Sequence, residues 1–144
     1  MRRGPSKIGL AIAVAAIIGV GCGGGGSDED QVRDVVTSFV EAGKNRDAEE
    51  ACSLLASDQV KVVERLGHGA DCEQVLGGIL AKAQVSGTDL KIEDVRVEGD
   101  RATVDATVKA SGASPRAESI LLIKEDGEWK FAHCPPRLLE GLHR

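Results

Sequence analysis

Four cysteines are the side chains of this sequence best suited to covalent chemistry, and Cys22 has the most informative surroundings. Three basic residues lie within residues 1–7, an apolar run follows over 8–20, and Gly21 directly precedes the cysteine. Four glycines and Ser27 come next. A basic start, an apolar core of about 7–15 residues and small residues before the cleavage site are typical of an export signal. We therefore predict cleavage before Cys22 and lipid attachment to its thiol.

Two alternatives to lipidation of Cys22 stay open. Gly19 stands where the usual lipid-attachment motif has leucine, and Gly19-Val20-Gly21 also suits an ordinary signal peptidase, which would leave a free thiol. An uncleaved anchor is the other alternative, although residues 8–21 would extend only roughly 20 Å as a helix, against about 30 Å of hydrocarbon. The glycine tract favours lipidation, since a flexible coil lets a tethered domain stand off the membrane. Two acyl chains would give stable anchoring where one gives only marginal binding.

These predictions divide the chain into a signal peptide over 1–21, a lipidated cysteine and tether over 22–27, a folded domain over 28–134 and a C-terminal tail over 135–144. They place the mature protein at the extracytoplasmic face of the cell membrane. Cleavage removes three of the 18 basic residues and none of the 23 acidic ones, which leaves a formal charge of −8. Such a surface repels nucleic acid, so we expect no nucleic-acid partner.

Cys52, Cys72 and Cys134 would remain in an oxidising compartment, where disulfides persist. Three pairings exist, and the sequence alone cannot choose among them. We favour Cys52–Cys72, because both residues lie in the predicted helical half of the domain. A bridge that closes a loop of about 20 residues is worth roughly 3 kcal/mol in the chain-entropy model. Two buried thiols are the alternative, and Cys134 would be free or would pair between molecules.

The histidines give no sign of a metal or catalytic site. His68, His133 and His143 are scattered, and neither Cys-x-x-Cys nor His-x-x-x-His occurs. His133 and Cys134 are neighbours on a predicted strand, where adjacent side chains point to opposite faces and cannot share a proton. We expect no metal and no cofactor.

Apolar spacing predicts four helices followed by four strands. Ser27 and Asp30 form a candidate capping box before a helix whose apolar spacing runs from Val32 to Val40. Shorter helices begin after Asp47, near Ser57 and after Asp71. From Thr88 the period changes to two, with a change of phase that predicts a bulge near Glu93-Asp94. The remaining signals are hairpin turns at Gly99-Asp100 and Asp126-Gly127, an alternating strand over 102–110, a strand over 119–124 that is apolar on both faces, and a last strand at 129–131. This order predicts an α+β fold, with N-terminal helices packed on a curved four-strand antiparallel sheet.

Several segments carry a resemblance to a known superfamily. They are residues 32–40 with 45–48 and 52–55, residues 95–104, and residues 121–131 with their Asp126-Gly127 turn. In these segments the chain resembles the nuclear transport factor 2-like superfamily, the cone-shaped fold that ketosteroid isomerases and polyketide cyclases share. It looks especially like small actinobacterial lipoproteins that carry this domain. The resemblance implies a sheet that curls around the first helix and encloses a pocket open at one end.

A carboxylate in such an apolar cone would have a raised pKa and could act as a general base. Asp94 and Asp105 are the candidates. Asp105 alternates with Val104 and Ala106, however, which indicates the solvated face, and Asp94 lies at the predicted bulge. The chain also has no tyrosine to stabilise an oxyanion, as ketosteroid isomerase does. We therefore predict no catalytic residue and no enzymatic activity.

The expected function is that of a membrane-anchored domain that binds a protein partner or a small apolar ligand without catalysis. A structural or interaction module with a filled cone is one alternative. An isomerase- or cyclase-like enzyme with a pocket carboxylate is the other. We expect Trp129 to belong to the core rather than to a ligand platform.

Overall fold

A computed structural model describes residues 26–83 and 87–133. The predictions for Cys22, the signal peptide, Cys134, His143 and the tail lie outside these residues. In chain order, the elements are α1 (Asp28–Asn45), α2 (Ala48–Ser53), α3 (Ser57–Leu66), α4 (Cys72–Lys82), β1 (Asp89–Glu98), β2 (Arg101–Lys109), β3 (Arg116–Glu125) and β4 (Glu128–His133). The strands form one antiparallel sheet in the order β1-β2-β3-β4, which confirms the predicted α+β fold. No described helix has both the length and the apolar character needed to cross a membrane.

Side-chain caps explain where three of the helices begin. Ser27 Oγ accepts a hydrogen bond from Asp30 N–H at 3.2 Å, and the Asp30 carboxylate accepts one from Ser27 N–H at 3.2 Å. This reciprocal pair is the capping box that the sequence predicts for α1. Asp47 and Asp71 each accept from the backbone N–H three residues further on, at 3.0 and 2.9 Å, and so begin α2 and α4.

The sheet contains the predicted bulge and turns. The register of β1 against β2 shifts between Ile92 and Asp94. The turn between β3 and β4 places Asp126 and Gly127 in the left-handed region, at φ 50° and 83°, as a tight hairpin requires. Beyond β4, Leu55 forms an isolated parallel bridge with Phe131. The segment before α3 therefore covers part of the edge of β4.

The core lies between the helices and one face of the sheet, which we call the inner face and which carries Ala102, Val104 and Ala106. Val32 and Val36 of α1 are almost fully buried, as are Val104 and Leu122 of the sheet. Trp129 is also in the core, as predicted, with 3% of its surface exposed. No charged or polar residue is buried among the described residues. The interior is therefore apolar.

A disulfide joins Cys52 of α2 to Cys72 of α4, which confirms the favoured pairing. The two Cα atoms are 6.1 Å apart. Cys72 is buried, and Cys52 packs against the core. The bridge therefore fastens the short helix α2, which has few residues of its own to bury, to the longer helix α4.

Candidate functional site

Asp94 and Asp105, the carboxylates considered from the sequence, lie on the outer face of the sheet. Asp105 Oδ2 accepts from Arg96 Nη2 at 2.7 Å, and Asp105 Oδ1 accepts from Ser119 Oγ at 3.0 Å. Asp94 is paired with Asp105 in the register, so both point away from the core. As predicted for Asp105, this is the solvated face. These carboxylates belong to an exposed polar network rather than to a cone.

The inner face has a different character at the end of the sheet away from the two tight turns. We call this end, beside residues 110–115, the loop end, and the end at Gly99-Asp100 and Asp126-Gly127 the turn end. At the loop end the register aligns Ile92 with Ala106 and Glu118 in one row, and Leu90 with Val108 and Arg116 in the next. We call Leu90, Ile92, Val108, Arg116 and Glu118 the inner mouth.

Glu118 is the acidic member of the inner mouth. Its position opposite Ala106, which is 2% exposed, and two residues before buried Ile120 places it on the core side of β3. Among the inner-face positions of the four strands it is the only carboxylate. Sequence reasoning missed it because the third strand was expected to begin at Ser119, whereas β3 begins at Arg116. No local signal could have found it, because residues 119–124 are apolar on both faces and conceal the phase of the strand.

The inner mouth combines apolar contact with two polar groups. Leu90, Ile92 and Val108 are half-buried, Glu118 is half-buried and Arg116 is exposed. A carboxylate accepts hydrogen bonds and a guanidinium donates them. The arrangement can therefore hold a small apolar molecule and orient a polar group on it, and the carboxylate can exchange a proton with a group within about 2.6–3.2 Å.

A groove of about 530 Å³ lies elsewhere, between α3 and the neighbouring parts of β3 and β4. Leu55 and Val60 supply apolar surface, while Lys61, Glu125 and Lys130 are among its charged lining. The groove contains a contact that replaces a missing cap. Ala56 precedes α3 and offers no side-chain cap, but the Glu125 carboxylate accepts from Ser57 N–H at 3.1 Å and from Ser57 Oγ at 2.9 Å.

Asp28 forms a second contact at the turn end, between α1 and the inner face. Its Oδ1 accepts from Lys124 Nζ at 2.7 Å and from Trp129 Nε1 at 3.3 Å. Lys124 Nζ also lies 5.3 Å from the centre of the Trp129 ring. The hydrogen bonds from Lys124 and Trp129 lower the pKa of Asp28 below its usual 3.8. We call these three residues the Asp28 clamp.

The described histidines do not gather with other ligands. His68 follows α3 in the left-handed region at φ 55°, and His133 ends β4. His68 lines a second open depression of about 730 Å³ beside Arg65 and Asp71. Within residues 26–83 and 87–133 no group of three or more His, Cys, Asp or Glu side chains is placed to hold a metal ion.

Comparison with solved structures finds chains that are similar to this one at low sequence identity. A candidate NTF2-like transpeptidase from Campylobacter jejuni is 21% identical, with a TM-score of 0.49 over 69% of this chain and 95% of the other. A candidate dehydratase of the NTF2-like family from Streptomyces avermitilis is 20% identical, with a TM-score of 0.48 over 72% and 90%. A candidate ketosteroid isomerase from Kribbella flavida is 18% identical, with a TM-score of 0.43 over 76% and 85%. No curated protein matches the sequence.

A family model described as a SnoaL-like domain matches residues 32–134. This match corrects one prediction. We expected no enzymatic activity, and that expectation is wrong, because SnoaL-like domains are typically cyclases or isomerases. The superfamily predicted from the sequence is confirmed. Since the matched residues make up most of the sequence, the chain belongs to the SnoaL-like family of NTF2-like domains.

Proposed function

We propose that this protein is a lipoprotein anchored through Cys22 at the extracytoplasmic face of the membrane, and that its SnoaL-like domain binds a small apolar ligand at the inner mouth. The anchor is supported by the sequence around Cys22, with its basic start, short apolar run and glycine tract. The ligand site is supported by one observation above all. Glu118 stands in register with buried Ala106 and is the only carboxylate at an inner-face position of the four strands.

The chemistry of the inner mouth indicates the kind of ligand. Leu90, Ile92 and Val108 offer half-buried apolar surface, and each Å² that a ligand removes from water contributes about 25 cal/mol. Glu118 and Arg116 are two residues apart on one face of β3, so they can receive a polar substituent from the same side. The ligand is therefore an apolar molecule with at least one hydroxyl, carbonyl or amide group.

A second candidate function is proton transfer to or from that ligand. The SnoaL-like family favours it, because such domains are typically cyclases or isomerases. Glu118 is the residue that we assign to the transfer, since it is the carboxylate on the inner face of the described sheet. Asp94 and Asp105 lie on the outer face and are not suited to it.

Two measurements test the proposal. Intact mass of the membrane-extracted protein reports both cleavage before Cys22 and acylation, and we expect a mature, acylated mass that Cys22→Ser abolishes while the domain stays folded. An unacylated mass would contradict the anchor.

Binding of a neutral solvatochromic dye tests the ligand site. We expect Val108→Glu, on the inner face of β2, to weaken dye binding at least tenfold. Thr103→Glu is the matched control, because Thr103 lies on the outer face of the same strand. Equal effects of the two substitutions would contradict a site at the inner mouth and would favour the protein-partner alternative.

A further inference from the structure

We infer that the anchored domain stands with its turn end toward the bilayer and its inner mouth away from it, so that ligand enters from the aqueous phase. This inference rests on the proposed lipid attachment at Cys22. It follows from where α1 begins, how its start is fixed, and how short the tether is.

The start of α1 is fixed at the turn end. The Asp28 clamp joins the first residue of α1 to Lys124, the last inner-face position of β3 before the Asp126-Gly127 turn. Lys124 N–H also donates to Asp100 O of the other turn at 2.8 Å. The clamp therefore places the beginning of α1 at the turn end of the sheet.

The residue before the cap is held at the same place. Gln31 Nε2 donates to Gly26 O at 3.2 Å, next to the capping box of Ser27 and Asp30. Only residues 23–25 separate Gly26 from Cys22. Whatever their conformation, four residue steps span at most about 14 Å. Gly26, next to the start of α1 that the clamp holds at the turn end, therefore cannot lie further than this from the lipidated residue.

The inner mouth lies well beyond that reach. Arg116 is eight residues from Lys124 along β3, which corresponds to about 26 Å at the rise of a strand. The tether is therefore roughly half as long as the distance between the two ends of the sheet. With the turn end held near the lipid, an upright domain carries its inner mouth away from the bilayer.

The charge of the turn end indicates that the tether, rather than adsorption to lipid, sets the distance between the turn end and the bilayer. Acidic side chains at this end outnumber basic ones, and they repel an anionic leaflet within about a Debye length, which is near 10 Å. The acidic residues are Asp28, Glu29, Asp30, Glu98, Asp100, Glu125, Asp126 and Glu128, and the basic ones are Arg101, Lys124 and Lys130.

The orientation can be measured by energy transfer from the domain to a lipid dye in phosphatidylcholine vesicles. The acylated protein, with Cys134→Ser, is labelled at Asp126→Cys in the turn end or at Ala113→Cys in the loop end, both at exposed positions. We expect clearly stronger transfer from the Asp126→Cys label. Equal transfer, or stronger transfer from Ala113→Cys, would overturn the inference.

A second version of the protein separates failure of the orientation from failure of the anchor. Flotation with vesicles tests the native anchor. In the second version, six histidines replace residues 17–22 and hold the same tether on nickel-chelating lipid. This version reports the orientation of the domain even if the native chain is not acylated. The proposed anchor and the proposed orientation can therefore fail independently.

The role of the clamp is tested by Asp28→Ala. Loss of the bonds to Lys124 and Trp129 frees the first turn of α1, so we expect the difference between the two labels to shrink. Asp58→Ala is the control, because Asp58 makes an exposed ion pair with Lys61 within α3 and belongs to no contact with α1. An unchanged difference in Asp28→Ala, with the fold intact by thermal unfolding, would show that the clamp does not position the domain.

Discussion

Glu125 and Ser57 are 68 residues apart in the sequence, yet the Glu125 carboxylate accepts two hydrogen bonds from Ser57, through its N–H and its Oγ. Glu125 thereby satisfies a helix N–H that Ala56, at the cap position, cannot. The neighbouring residue, Lys124, binds the first residue of α1. Two successive residues of β3 thus hold the starts of two helices.

Removal of the Glu125 carboxylate should destabilise the domain. We expect Glu125→Ala to lower the free energy of unfolding by about 1 kcal/mol, the usual cost of a lost helix cap. Glu128→Ala is the control, since Glu128 is exposed and makes only a surface ion pair with Lys130. Urea unfolding of both variants makes the comparison. Equal stabilities would show that the contact with Ser57 does not act as a cap.

Asp28 should make stability depend on pH. The pKa of Asp28 is lowered in the folded state, first by the hydrogen bond from Lys124 and then by that from Trp129. A lowered pKa stabilises the fold above the unfolded value, near 3.8, and this contribution disappears as the pH falls through the lower folded value. We therefore expect Asp28→Asn to be less stable than the wild type at pH 7 and nearly equal to it near pH 2.

Urea midpoints at both pH values test this dependence, with Asp58→Asn as the control for a carboxylate in an exposed pair. The pKa of Glu93 is also lowered, by hydrogen bonds from Lys91 and Thr107, so Glu93 should likewise stabilise the fold at pH 7 and lose this contribution at low pH. A difference between Asp28→Asn and the wild type that stays constant from pH 7 to pH 2 would contradict the assignment.

The Cys52–Cys72 disulfide should be the largest single covalent contribution to stability. It closes a separation of 20 residues, for which chain entropy gives roughly 3 kcal/mol. We expect the double variant Cys52→Ala/Cys72→Ala to lose about this amount in thermal or urea unfolding. Reduction of the wild type should produce the same loss, and reduction of the double variant should change nothing. A further loss on reducing the double variant would show that another pair of thiols is bridged.

Local patterns in the sequence predict much of this fold. The capping box at Ser27, the bulge at Glu93-Asp94 and the turn at Asp126-Gly127 each depend on residues within a few positions of one another, and all three are present. The contacts that hold the starts of α1 and α3 at the turn end are of another kind. The bonds of Glu125 to Ser57 and of Asp28 to Trp129 join residues 68 and 101 positions apart. These hydrogen bonds form only once the helices have packed on the sheet, so no local sequence pattern predicts them.

The candidate site shows the same limit. Asp105 could be placed on the outer face because its strand alternates clearly, whereas Asp94 could be assigned only to the predicted bulge. Glu118 could not be assigned to the inner face, because residues 119–124 are apolar on both sides and conceal the phase of β3. Only its register with Ala106 identifies the side on which it lies.

Glu118 itself offers the sharpest test of the inner mouth. Glu118→Gln keeps the size of the side chain and one acceptor but removes the charge, whereas Glu118→Leu extends the apolar surface of Ile92 and Val108. We expect both variants still to bind the neutral dye, and Glu118→Leu to bind it more tightly than the wild type does. A ligand that donates a hydrogen bond to Glu118 should bind about tenfold more weakly to Glu118→Gln, since a bond to a charged acceptor contributes about 1.5–3 kcal/mol. Glu93→Gln, on the outer face, is the control. If Glu118→Gln and Glu93→Gln left such a ligand equally well bound, the carboxylate on the inner face would have no part in recognition.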